Sequence, residues 1–237
     1  MSMPAGTSAR IGEAEALLRR AAAQDALLLA RLHGRELDAP ALARLREGPF
    51  AGLFALVPEE EAARQACLVI DEGWRALAAD EGDEEAMLRE LAADYAATYL
   101  TFRHRVPVTE SVCLDEDHLQ RQQPMMQVRE WYRRFGVAAP DWRKMADDHI
   151  APQIAFIAHL LAGAEAGEGA GSLADVAAFM DGHILRWVDE FAAAAGSRCD
   201  TPFYAGLGMF TACWLKNLRR ALALLGAPRA EQAEAAR

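Results

Sequence analysis

The sequence predicts an all-α fold. Three observations carry that expectation. Ala, Leu, Glu and Arg dominate while β-branched residues are sparse. Apolar residues recur at the 3.6-residue spacing of an amphipathic helix in segment after segment. No stretch alternates apolar and polar residues as a strand does, and no Gly-rich phosphate loop or fixed-period repeat occurs. The expected architecture is a single helical-bundle domain of about 9–11 helices with no sheet. Its N-terminal half, 1–102, and C-terminal half, 103–237, pack as one compact unit.

The elements follow in order. Ile11, Ala14, Leu17, Leu18, Ala21, Leu28 and Leu32 mark a helix from Ser8 to His33, and Gly34 stops it. A short helix spans Pro40–Arg46. "VPEEEAARQ" opens the next, with Pro58 in the first turn and acids behind it, and it runs to about Ala79. "DEGDEEAMLRE" restarts the pattern through Tyr95 and Tyr99 to about Thr101. The acidic run Asp80–Glu85 reads as a solvated helix start. "FRHRVPVTESVCLDED" is irregular, and a helix follows from about His118 to Phe135, ended by Gly136. "VAAPDWRKMADD" is a second irregular connection. Helices at about 150–164, 173–195 and 202–225 complete the chain, with the Gly/Ala-rich linker 163–172 between two of them.

Bulk properties narrow the function. The chain has 237 residues, 52% of them hydrophobic, which is enough for one sizeable core. The formal net charge of −10 disfavours binding to nucleic acid phosphates and suits a basic partner. Cys67, Cys113, Cys199 and Cys213 have no zinc-type or CxxC spacing, so all four are expected reduced and no metal site is expected. The first residues lack the apolar stretch of a secretory signal, and no apolar run approaches the ~20 residues that span a bilayer. A cytoplasmic protein without stable membrane insertion is expected.

"MADDHIAPQIAF", residues 145–156, raises the sharpest question. Asp147, Asp148 and His149 read as a metal site, a catalytic dyad, a helix cap or a gripping surface. No His-x-x-His or Glu-x-x-His pair completes a metal shell, and no nucleophile accompanies a dyad. A cap fits best: a carboxylate accepts from the free amides of the next helix, and Pro152 is tolerated in its first turn. His183 and Trp187, with Phe179, Ile184 and Phe191, form an apolar stripe in which a hydrogen-bonded core histidine is expected. His159 lies on a similar stripe with Phe156 and Leu160. Met125, Met126, Trp131, Tyr132 and Phe135 fit either core packing or an adaptable peptide-gripping surface.

Five motifs, in order, resemble the TorD/DmsD family of redox-enzyme maturation chaperones, also related to NarJ. They are "DYAATYLTF" (94–102), "VPVTESVCLD" (106–115), "QQPMMQVREWYRRFG" (122–136) with Tyr132 and Gly136, "DDHIAPQIAFIAHLL" (147–161), and "FMDGHILRWVDEF" followed by "PFYAGLGMF". Together they cover roughly residues 85–215. The resemblance implies an all-α, non-enzymatic cytoplasmic chaperone. Its client would be the precursor of a molybdopterin-containing oxidoreductase of the DMSO/TMAO reductase type. It would bind the twin-arginine leader and the apo form, assist cofactor insertion and prevent premature Tat export. Weak guanine-nucleotide binding has been suggested for some members. By resemblance, Asp148, His149, Pro107, Ser111 and Glu110 carry leader recognition. Asp147 adds negative charge, and Met126 and Trp131 supply apolar wall. Tyr132, Gly136, Gln153, His183 and Trp187 are motif residues with structural roles. Thr109 and Cys113 stand where the family has aromatics, and Gln153 where it has Glu, which leaves the identity and docking mode of the client open. A monomer is expected, with domain swapping across 163–172 as a second state. The alternatives are an all-α hydrolase or lyase using His149 and Asp148, or a helical scaffold.

Overall fold

A computed structural model describes residues 5–79, 84–139, 143–163 and 171–226. Ten α-helices lie among these residues. They are α1 (Ala5–Gly34), α2 (Ala39–Leu45), α3 (Glu61–Ala79), α4 (Glu84–Tyr95), α5 (Glu110–Leu114), α6 (Gln123–Arg134), α7 (Ile150–Ala162), α8 (Leu173–Gly182), α9 (Val188–Arg198) and α10 (Pro202–Leu224). Short 3-10 turns cover Phe50–Leu53 and Ile184–Arg186, and a π-helical segment, Ala96–Leu100, extends α4. The described residues contain no strand, only one antiparallel bridge between Thr109 and His149.

Local chemistry sets the boundaries. Asp38 accepts from the Ala41 amide at 2.8 Å and starts α2. Ser172 and Asp175 form a reciprocal capping box at α8. Thr201 caps α10, where Pro202 occupies the first turn. The predicted helix over 173–195 is divided at Gly182–Trp187. The physical reason is His183, whose side chain turns inward to a buried carboxylate while its backbone leaves helical geometry at φ −128°, ψ −93°. The predicted start at His118 moves to Gln123, because His118 and Arg121 take positive φ. The described helix α5 lies inside the connection expected to be irregular.

Helix α10 is the centre of the bundle. Phe203, Tyr204, Leu207, Phe210, Trp214, Leu215, Leu218 and Leu222 are buried around it, as a helix enclosed on all sides requires. It packs on α3 and α9, while α1 packs along α7. Two glycines permit the close approach. A Cβ on Gly206 would stand 2.8 Å from the Ala66 carbonyl oxygen, and one on Gly208 would stand 2.7 Å from the Ala195 Cβ. The core is continuous from Ala22 to Leu222 and crosses the 102/103 division. Inside it, His33 bonds Tyr99 at 2.7 Å and Thr211 at 2.8 Å, joining α1, the π segment and α10. Asp25 accepts from the Ala55 and Leu56 amides and from Trp214 Nε1.

The linker expected at 163–172 lies outside the described residues at 164–170, as do positions 80–83 of the acidic run and the tail from 227. No helix among the described residues is long and apolar enough to cross a membrane.

Candidate functional site

The two irregular connections meet at one point, and Asp148 is the hinge pin. The Ser111 amide and hydroxyl both donate to Asp148 Oδ2, at 2.8 and 2.5 Å. Backbone bonds run in parallel: Glu110 N donates to Asp148 O at 3.0 Å, and Ile150 N donates to Val108 O at 2.9 Å. Asp148 therefore does cap a helix, but it caps α5, 37 residues upstream, rather than α7. The expectation that a carboxylate caps α7 is corrected: His149 takes that position, its Nδ1 accepting from the Ala151 amide at 3.1 Å. The reason is geometric. The bridge to Thr109 turns the Asp148 side chain towards the first turn of α5.

A second layer encloses Glu110. Gln153 Nε2 donates to Glu110 Oε2 at 2.9 Å and to Asp148 O at 3.1 Å. His183 Nδ1 lies 3.0 and 3.2 Å from the two Glu110 oxygens and donates to them. An amide at 153 supplies the donor that a carboxylate at that position would lack. His183 is enclosed by Phe179 and by the edge of Trp131. Glu110, Ser111, Asp148 and Gln153 are all fully buried.

Asp147 faces the other way. Arg129 Nε donates to Asp147 Oδ2 at 2.5 Å, and Tyr132 Oη donates to the Asp147 carbonyl at 2.8 Å. Motif residue Tyr132 thus fastens α6 to the second connection. Gly136, at φ +71°, ends the turn after α6 in a conformation that suits glycine. Beside Tyr132 an apolar cleft of about 150 Å³ is lined by Val137, Ala139, Pro152, Phe156 and His159. Its polar extension carries Arg129, Arg133 and Asp147.

Burial shapes the titrations. It raises the Asp148 carboxyl above the ordinary carboxylate range, opposed by the bonds from Ser111. It lowers the His149 imidazole to about 3, so that ring is neutral near pH 7. No dyad forms, because Asp148 bonds Ser111 while His149 bonds a backbone amide.

The structure brings together Ser111, Glu110, Asp148, His149, Gln153 and His183, and leaves each at most 5% exposed. Pro107 and Asp147 are buried too. Trp131 is half-buried and stacks on Phe135, and Trp187 sits in the core against Phe191. From the expected recognition set only Met126, half exposed, presents a large apolar side chain to solvent, and its Sδ meets the Arg129 guanidinium at 3.8 Å. Of the three acids expected to supply a negative field, Glu110 and Asp147 are buried and bonded, while Asp115 is part-exposed. The acids ending the first connection were expected to cap a helix from His118; that helix starts at Gln123 instead, and Glu116, Asp117 and Leu119, not assigned to recognition from the sequence, lie exposed between α5 and α6. Their run of charge beside a lone Leu was the available signal.

No curated protein matches the chain. A family model described as the nitrate reductase delta subunit matches residues 61–193, a span that contains α5, both connections, the Asp-His doublet and His183. On that match the chain belongs to the nitrate reductase delta subunit family, the NarJ/TorD-type chaperones of molybdoenzyme maturation.

Proposed function

We propose that this chain is a cytoplasmic chaperone that holds the twin-arginine leader and apo form of a molybdopterin-containing oxidoreductase until its cofactor is in place. One observation carries the reading: the family motifs converge on a buried polar network that fixes the surface between α5 and α6. Glu110, Ser111, Asp148, His149 and Pro107 act through the backbone they hold. Contact with the client falls to Glu116, Asp117, Leu119 and Met126, all exposed, with Leu119 and Met126 53% and 50% accessible. A twin-arginine leader joins a basic region to an apolar one. Two adjacent acids and two exposed apolar side chains complement both halves.

The test has two arms. Tagged chain recovered from its native cell should carry an oxidoreductase precursor whose leader is intact by mass spectrometry; recovery of mature partners alone would reject the leader reading. A synthetic leader peptide from the captured precursor should bind wild type. It should lose at least about tenfold in affinity to a Glu116→Lys, Asp117→Lys double variant, an effect of roughly 1.4 kcal/mol. Unchanged affinity in the folded variant would move the contact elsewhere.

A further inference from the structure

A different cluster lies outside this network. Asp94 on α4, His104 in the connection after the π segment, and Asp200 before α10 bring one donor atom each within 4.8 Å of one another. His104 Nε2 stands 3.1 Å from Asp94 Oδ1 and 3.3 Å from Asp200 Oδ2. The His104 side chain is nine-tenths buried, and its Nε2 is sealed from solvent with no partner in hydrogen-bond geometry. Neither carboxylate oxygen lies along the ring N–H. A buried ring nitrogen facing two acids without a directed bond is unusual, because such atoms nearly always have a partner.

The separations have a simple reading. With zinc–donor bonds of about 2.0–2.2 Å, the edges of a tetrahedron are about 3.3–3.6 Å. Both observed nitrogen–oxygen distances are close to such edges, so His104 Nε2 stands at ligand spacing from each carboxylate. We propose that Asp94, His104 and Asp200 form a binding site for a divalent transition cation of the zinc class, with solvent completing the shell. Imidazole nitrogen and carboxylate oxygen suit that ion.

The second shell is already built around Asp94. Its Oδ2 accepts from the Thr201 amide at 2.7 Å and from the Thr201 hydroxyl at 2.6 Å. Oδ1 accepts from the Asp200 amide at 3.2 Å and faces the Thr98 hydroxyl at 3.5 Å. These bonds fix the carboxylate while Oδ1 still faces His104. The exposed Arg103 guanidinium lies 3.3 Å from Asp200 Oδ2 at the outer edge, and a bound cation would displace this weak surface pair. The ion would tie α4, the connection leading to Val108 and the start of α10 into one unit.

The full-length chain, reduced and stripped with chelator, is titrated with Zn²⁺ alone by calorimetry and with Co²⁺ by visible absorption. Wild type should take up one ion per chain, show the intense bands of tetrahedral cobalt and unfold at higher temperature with zinc present. His104→Gln and Asp200→Asn should each weaken binding at least about tenfold and abolish the zinc-dependent shift. Neither substitution removes a donor or acceptor of the Thr201–Asp94 bonds, and the metal-free melting of these variants checks that they are folded. No uptake by wild type would overturn the proposal. So would equal uptake by both variants, or loss of uptake in Cys199→Ser alone.

Discussion

Asp148 gives up half of its hydrogen-bonding capacity. Oδ2 takes two bonds from Ser111, while Oδ1 is buried without a partner. Replacing Asp148 by Ala leaves a buried amide and hydroxyl of Ser111 unsatisfied, so the variant should lose about 1–3 kcal/mol in denaturant unfolding. Ser111→Ala should lose less, because the backbone amide still reaches the carboxylate. The histidines make a separate prediction. Burial lowers His33 and His149 to about 3, against 6.5 when exposed. The unfolded chain therefore binds protons that the native chain refuses between those values, and stability falls as pH drops through 6.5. Two such groups account for about 2.5 kcal/mol lost between pH 7 and 5.5, which urea unfolding at the two pH values checks. Asp148 opposes this at the acid end, since its raised carboxyl holds a proton more readily when folded. That the segment caps a helix beginning just after His149 was legible from residue types and Pro152, but not that His149 rather than a carboxylate is the cap. That the carboxylate caps a helix 37 residues upstream was not legible either, because nothing local encodes a bond between two connections.

Elements with strong period and clear punctuation were legible: α2, α3, α7 and α10 fall within about three residues of their expected bounds. The misreadings were tertiary in origin. The stretch from Phe179 to Phe191 keeps a helical apolar spacing, yet the backbone breaks at His183, whose imidazole reaches Glu110 at 3.0 Å. Helix α5 has five residues, too few for periodicity to register, and is held by Asp148 rather than by its own propensity. Close helix packing yields another test. Gly206→Ala would gain helix propensity of about 1 kcal/mol, but its methyl would press against the Ala66 carbonyl and Ile70. The net should be a loss of roughly 1–3 kcal/mol and a lower melting temperature. Gly182→Ala meets nothing nearby and should not show this loss.

At the scale of the molecule, the all-α class and the family followed from composition, period and motif order, and the matched span 61–193 agrees. Solvent exposure was the quantity the sequence withheld, since an acid in a motif reads the same whether buried or free. Long-range ties hold the bundle together. Arg19 on α1, 8% exposed, donates to the Leu160 and Gly171 carbonyls at 3.4 and 3.1 Å, across the end of α7. Arg19→Ala should strand those carbonyls and lower stability by about 1–3 kcal/mol, measured by thermal unfolding. The bond between Glu110 and His183 has a further consequence. During synthesis, the stretch carrying Glu116 and Asp117 leaves the ribosome long before residue 183 does, so its anchoring stays unfinished. A nascent or truncated chain would therefore offer the acids without their rigid mounting, and on the proposed function competence to grip a client would arrive only once translation has passed α8.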